Sequence, residues 1–141
     1  MRAYFFTNTW LSGLQKGLQS AHVVADLSQK MLGHPAQDDF IEWVDNHKTI
    51  IILEGGAHGD LLEIVEFFKQ EPDRYPWTSF CEDEYSLNGA MTSVGIVLPE
   101  KIYEWAKGLR EGEYERHEAE HKFDEFDLVL IDLLNSHGLA R

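Results

Sequence analysis

The sequence has a single cysteine, Cys81, and only four prolines among its 141 residues. One cysteine excludes an intrachain disulfide and favours a reducing compartment. The sequence also has no apolar run long enough to cross a membrane or to act as a signal peptide. We therefore expect a cytoplasmic protein that is stabilised by a hydrophobic core and not by covalent cross-links.

Basic residues are also scarce. Twelve Lys+Arg against 25 Asp+Glu give a formal net charge of −13. An acidic surface of this kind repels nucleic-acid phosphates unless the few cations gather in one patch. The cations that could form such a patch are scattered along the sequence: Lys16, Lys48, Lys101, Lys107 and Arg110. The composition therefore disfavours a nucleic-acid partner and leaves open a protein partner or a homodimer.

The hydrophobic content of 43% is that of a folded protein, and the length suits one domain over residues 1–141. Apolar runs predict strands at 2–8, 49–53, 77–81 and 93–98. Helical patterns lie between them and in the acidic C-terminal part. This order predicts an α/β fold, a three-layer sandwich in which helices flank a central mixed four-stranded sheet, with an extra C-terminal helix. Residues 49–53 are β-branched without polar alternation, which favours the centre of the sheet.

The first helix, from an N-cap at Ser12 to about Lys30, carries two periodic stripes. An apolar stripe is expected to face the core; it comprises Leu11, Leu14, Leu18, Ala21, Val24 and Leu27. A polar stripe runs beside it and comprises Gln15, Gln19, His22 and Asp26. This setting makes His22 a candidate general base, and the alternative is a buried histidine bonded to a neighbour. Gly13 and Gly17 weaken the helix, which suggests that another group approaches the backbone there.

Three other motifs could carry chemistry. His117, Glu118 and His121 satisfy the H-E-x-x-H pattern of zinc hydrolases, but charged residues surround the two histidines, which indicates a solvated helix and no metal site. The run 82–84 places Asp83 in a cluster suited to acid/base work; an ordinary exposed acidic loop is the alternative. The sequence assigns no helix N-terminus and no cation to Cys81, so a nucleophilic role is not expected.

The segment from Gln15 to His22, after a short strand, resembles the first-helix signature of the type 2 peptidyl-tRNA hydrolase family. Residues 49–53, the helix after them and the run from Phe80 to Pro99 are similar to that family's remaining elements in order and spacing. The resemblance covers a core of about residues 2–107. The acidic amphipathic C-terminal extension over residues 113–138 lies outside it.

The resemblance implies an ester hydrolase that acts on a peptidyl-tRNA or another acylated nucleotide and needs no cofactor. It assigns catalytic roles to Lys16, His22 and Asp83. It assigns substrate binding to four further residues: Gln15, Gln19, Asn88 and Thr92. Gln15 occupies the position of the family's lysine, so its neighbour Lys16 is the side chain that supplies an ammonium group. The other functions that the sequence leaves open are a non-catalytic protein-binding module on the same fold and, remotely, zinc hydrolysis.

Overall fold

A computed structural model describes residues 1–82 and 89–141. Within these ranges the strands are β1 (Arg2–Asn8), β2 (Ile50–Gly56), β3 (Trp77–Cys81) and β4 (Met91–Leu98). They form one sheet in the order β2-β1-β4-β3, in which β1 and β2 are parallel and β4 is antiparallel to both neighbours. The helices are α1 (Gly13–Lys30), α2 (Gln37–Glu42) with a π-helical turn at Trp43–His47, α3 (His58–Phe68), α4 (Glu100–Arg110), α5 (Arg116–Lys122) and α6 (Glu125–Ser136).

The sheet separates two hydrophobic cores. Successive side chains of a strand point to opposite faces, so Ala3 and Phe5 of β1 pack with α1 and α2, whereas Tyr4 and Phe6 pack with the helices on the other face. The predicted α/β class, with its mixed four-stranded sheet between helices, is confirmed. The C-terminal extension forms two helices, α5 and α6, where the sequence predicted one.

The expected central position of residues 49–53 is wrong, because β2 is an edge strand and β1 and β4 occupy the centre. Ile50 is 53% exposed. The C-terminal residues cover the outer side of β2: the amide of Glu54 donates to the Gly138 carbonyl at 2.9 Å, and the amide of Ala140 donates to the Ile52 carbonyl at 2.9 Å. An apolar run is compatible with an edge that a terminal segment covers, and the run alone cannot distinguish the two positions.

The expected apolar face of α1 is also wrong for most of its residues. Leu14 and Leu18 are 78% and 52% exposed, Ala21 is exposed and Val24 is half-buried. The residues that α1 buries are Lys16, Gln19, Ser20, Val23 and Leu27. The helical period is as predicted, but the side of the helix that faces the sheet is a different one. Polar side chains occupy the buried side because the strands below offer them ion-pair and hydrogen-bond partners.

Two glycines provide a matched test of the interface between α1 and the sheet. A Cβ on Gly95 of β4 would lie 2.6 Å from Cγ1 of Val23 and 2.8 Å from the Phe5 ring, whereas a Cβ on Gly17 would meet nothing within 4 Å. The close approach that the sequence predicted at Gly17 is therefore absent.

We expect Gly95→Ala to lower the free energy of unfolding by about 1–3 kcal/mol through overpacking. Gly17→Ala should raise it by roughly 0.5–1 kcal/mol, because alanine favours a helix more than glycine does. Urea denaturation of both variants measures the difference. Equal stability of Gly95→Ala and the unsubstituted protein would contradict the tight contact between α1 and β4.

Candidate functional site

The N-terminus of α1 is fixed by a capping box. The hydroxyl of Ser12 accepts from the Gln15 amide at 3.2 Å, and the Gln15 side-chain oxygen accepts from the Ser12 amide at 2.9 Å. This reciprocal pair satisfies two backbone donors of the first turn. Gln15 was predicted to bind substrate. Its side-chain carbonyl instead holds the helix end, although the side chain as a whole is exposed.

Gln19 is the centre of a hydrogen-bond network that joins α1 to β4 and to the end of β3. Its Nε2 donates to Oε2 of Glu82 at 2.9 Å, and its Oε1 accepts from the Thr92 hydroxyl at 3.0 Å. The same oxygen lies 3.3 Å from Nδ1 of His22. The carboxylate of Glu82 can only accept, so the amide nitrogen must face it, and this fixes the orientation of the Gln19 carboxamide. Gln19, His22 and Thr92, three of the predicted site residues, thus meet.

His22 lies at the exposed margin of this network. A carbonyl oxygen only accepts, so the contact with Gln19 selects the tautomer that carries hydrogen on Nδ1. Its Nε2 is then the ring atom with a lone pair. The imidazole also packs on the Phe80 ring, with centroids 4.6 Å apart and planes at 53°. The arrangement holds an exposed imidazole in a fixed orientation with a basic nitrogen available, as general-base chemistry requires.

Thr92 reaches Gln19 because β4 contains a bulge. Phe80 pairs with Ser93 and Cys81 pairs with Met91, so Thr92 is an extra residue opposite β3. Strand alternation would otherwise turn Thr92 to the face occupied by Val94, and the bulge turns it towards α1. Met91 and Val94 belong to the same core despite their odd separation, which agrees with this reversal.

Two further side chains hold the residue before Thr92. His58 Nδ1 accepts from the Met91 amide at 2.8 Å, and Nδ2 of Asn8 donates to the Met91 carbonyl at 3.0 Å. Both backbone groups of Met91 are therefore fixed, which steadies the bulge. Sequence reasoning did not assign Asn8 or His58 to the site. The signal was their position: Asn8 is the last residue of β1, and His58 begins α3 two residues after the end of β2, and functional groups of α/β proteins collect at such strand ends.

Lys16 is buried and forms an ion pair with Glu54 of β2. Its side chain is 4% exposed, and that of Glu54 is 31% exposed. The backbone of Arg141 completes the group: its carbonyl lies 3.5 Å from the Lys16 ammonium and its amide 3.4 Å from Oε1 of Glu54. Lys16 therefore reaches β2, whereas Gln19, one turn later, reaches β4 and the end of β3. Sequence reasoning missed Glu54, whose signal was a single carboxylate at the end of an apolar strand.

Burial raises the pKa of Glu54, but hydrogen bonds from Lys16 and the Arg141 backbone, together with the Lys16 charge, lower it by more. The carboxyl group is therefore ionised at neutral pH and stabilises the buried ammonium. Lys16 helps to hold α1 on the sheet, and an ammonium for chemistry would become free only if this pair opened.

Asp83 and Asn88, the other two predicted site residues, lie outside the described residues. The positions on either side are linked, because the Glu82 amide donates to the Ala90 carbonyl at 3.0 Å.

His117 and His121 are exposed on α5, as the charged surroundings predicted. Nδ1 of His117 lies 3.2 Å from Oε2 of Glu115. Among residues 1–82 and 89–141, no three His, Cys, Asp or Glu side chains are grouped as metal ligands. In the same part of the chain, no helix is long and apolar enough to span a membrane.

The scattered cations do not gather beside the Gln19 network. Lys16 is neutralised by Glu54, and Lys107 and Arg110 line a pocket with Tyr4 on the opposite face of the sheet. A search against protein-family models and a search of curated proteins both found no match for this chain.

The ion pair between Lys16 and Glu54 can be tested through stability. Glu54→Gln leaves the Lys16 ammonium buried without its counter-charge, and breaking a fully buried pair in this way costs roughly 3–5 kcal/mol. Because Glu54 is 31% exposed, we expect a smaller loss, about 1–3 kcal/mol at pH 7. Thermal and urea denaturation measure it, and Lys16→Met together with Glu54→Gln should recover part of the loss.

The pH dependence has a defined sign. The pKa of Glu54 is lower in the folded than in the unfolded protein, so the pair stabilises fully above the unfolded pKa, about 4.3. This contribution is lost as the pH falls through the lower folded pKa, so Glu54→Gln should reduce the acid sensitivity of stability. Glu66→Gln, which removes an exposed partner of Lys69, is the control and should change stability by about 0.5 kcal/mol or less. An equal effect of the two substitutions would show that the buried pair is not structural.

Proposed function

We propose that the protein is a peptidyl-tRNA hydrolase-like enzyme that cleaves the ester bond of an acylated nucleotide or tRNA beside Gln19, His22 and Thr92. The convergence of these three residues through the Gln19 carboxamide is the observation that carries the proposal. They are separated by up to 73 positions in sequence, and all three are among the residues to which the resemblance assigns a role.

In the proposed reaction, water attacks the ester carbonyl carbon while Nε2 of His22 takes one of its protons. The bond to the ribose oxygen then breaks, and the imidazolium returns the proton to that oxygen. The products are a carboxylic acid and a ribose hydroxyl, and His22 regains its initial form. Gln19 fixes the imidazole tautomer and Thr92 fixes Gln19, so both are positioning residues.

We assign auxiliary roles to the remaining predicted residues. The Asp83 carboxylate orients the attacking water, and Gln15 and Asn88 bind the substrate. Lys16 acts through the position of α1, because its ammonium is paired with Glu54. With a net charge of −13 and no cation patch beside the described network, the protein should neutralise few phosphates, so binding to a whole tRNA should be weak and should depend only slightly on salt.

We expect slow hydrolysis of a peptidyl-tRNA and of a short acylated nucleotide, with His22→Ala lowering kcat by about 10²–10⁴-fold, as loss of a general base does. Gln19→Ala and Thr92→Val should lower kcat less. These losses arise because the imidazole is no longer held in one tautomer. Asp83→Asn tests the water-orienting role. Single-turnover release of the labelled acyl group is the measurement.

His117→Ala is the matched control, because it removes an exposed imidazole far along the chain and should leave the rate unchanged. Hydrolysis that survives His22→Ala, or that falls equally in both histidine variants, would contradict the proposed base. A folded protein with no ester hydrolysis on either substrate would leave only the second candidate function.

The second candidate function is a protein-binding module, and an exposed apolar stripe on and before α1 favours it. Leu14 and Leu18 lie one helical turn apart on α1, the spacing of anchors in helix recognition, and are 78% and 52% exposed, and Trp10, in the turn before α1, is 83% exposed. The net charge of −13 favours a cationic occupant. The partner that fits is a basic amphipathic helix of another protein.

A synthetic helical peptide of leucine and lysine tests this surface. Leu14→Ser with Leu18→Ser should weaken its binding by about tenfold or more, since each buried leucine contributes roughly 1.5–3 kcal/mol. Leu32→Ser is the control, because Leu32 is equally exposed but lies outside the stripe. Fluorescence titration measures affinity, and sedimentation detects a homodimer formed through the same stripe. Equal binding by all variants would contradict this function.

A further inference from the structure

A pocket separate from the Gln19 network lies on the opposite face of the sheet from α1. It is bounded by β1, β2, α4, the end of α6 and the residues after α6. Its volume is about 500 Å³, which is the size of a small-molecule site. Tyr4, Ile51 and Leu53 provide its apolar wall, and Asn135 and Ser136 provide polar groups.

The charge of this pocket is opposite to that of the protein. Arg2, Lys107 and Arg110 line it, and its lining contains no Asp or Glu, in a chain with 25 acidic and 12 basic residues. No residue within 1–82 and 89–141 forms an ion pair with any of these three cations. Lys16, Lys69, Arg74 and Arg116, in contrast, are all paired. Three of the eight Lys and Arg residues that have no ion-pair partner among residues 1–82 and 89–141 thus line one concave surface, where a positive potential is reinforced by the low-dielectric wall.

Neighbouring side chains hold two of these cations in place. The Arg2 guanidinium lies 4.2 Å from the centre of the Tyr103 ring, in cation–π geometry. One N–H of Arg110 donates to Oδ1 of Asn135 at 2.9 Å, and Asn135 is itself anchored to the Ala106 carbonyl at 3.0 Å. A guanidinium has five N–H donors, so most of those on Arg110 remain available for a ligand.

The charges of both arginines act at the Tyr4 hydroxyl. Burial raises the pKa of Tyr4, and Arg2 and Arg110 oppose the rise. Outside the pocket lining, a hydrogen bond with Glu100 raises the pKa of Glu104, and the charges of Lys107 and Arg2 oppose this rise.

We propose that this pocket binds a small organic phosphate of nucleotide size, with the phosphate on Arg2, Lys107 and Arg110 and the organic part on the apolar wall. Forked guanidinium groups and an ammonium form the donor set that phosphate oxygens prefer. The pocket volume accommodates a mononucleotide but not a folded RNA. This site is separate from the Gln19 network and does not depend on the hydrolase proposal.

Calorimetric titration with adenosine monophosphate, inorganic phosphate and adenosine separates the two parts of the ligand. We expect saturable binding of the monophosphate with Kd of about 1 mM or tighter, weaker binding of phosphate, and none of adenosine. Lys107→Met and Arg110→Gln should each weaken binding by about tenfold, since a hydrogen bond to a charged group contributes roughly 1.5–3 kcal/mol.

Lys101→Met is the matched control, because it removes the same charge from the same helix without touching the pocket lining. It should change Kd by less than about twofold. His22→Ala should leave binding intact, so failure of this proposal can be distinguished from failure of the hydrolase proposal. Absence of saturable binding, equal loss in Lys101→Met, or binding of an oligonucleotide but not of the monophosphate would overturn the proposal. Circular dichroism of each variant confirms that the loss is local.

Discussion

The structure depends on the burial of two polar side chains, Lys16 and Gln19, on the side of α1 that faces the sheet. An ammonium or a carboxamide transferred from water to a protein interior is unfavourable unless it finds partners. Lys16 finds Glu54 on β2, and Gln19 finds Glu82 and Thr92 beyond the central strand β1. These partners lie on either side of β1 on the same face of the sheet, so they fix both the rotation of α1 about its axis and its direction across the strands.

The rotation of α1 determines which residues are available at the surface. Polar partners draw Lys16 and Gln19 inward, and as a result Leu14 and Leu18 face solvent. His22 lies at the boundary between the buried and exposed sides, where one ring nitrogen contacts Gln19. The same physical requirement, satisfaction of buried polar groups, therefore produces both an oriented imidazole and an apolar stripe beside it.

Much of the secondary structure could be predicted from the sequence, because Ser12, Pro99 and the glycine turns mark element boundaries locally. The phase of α1 could not, since it depends on Glu54 and Thr92, which are distant in sequence. The position of β2 at an edge depends on the segment around Leu139 that covers it, and the bulge at Thr92 has no local signal. Gln19, His22 and Thr92 were all predicted as site residues, whereas Glu54, which pairs with Lys16, was not.

The two hydrogen bonds between β2 and the C-terminal residues allow the Lys16–Glu54 pair to be followed by hydrogen exchange. The amides of Glu54 and Ala140 are the donors of these bonds, so their hydrogens should exchange with solvent far more slowly than those of a frayed terminus. Arg141, the next residue, contacts the Lys16–Glu54 pair. Slow exchange at Ala140 would therefore signal an intact pair whose lysine lies more than one hundred positions away in sequence, without any substitution at the pair itself.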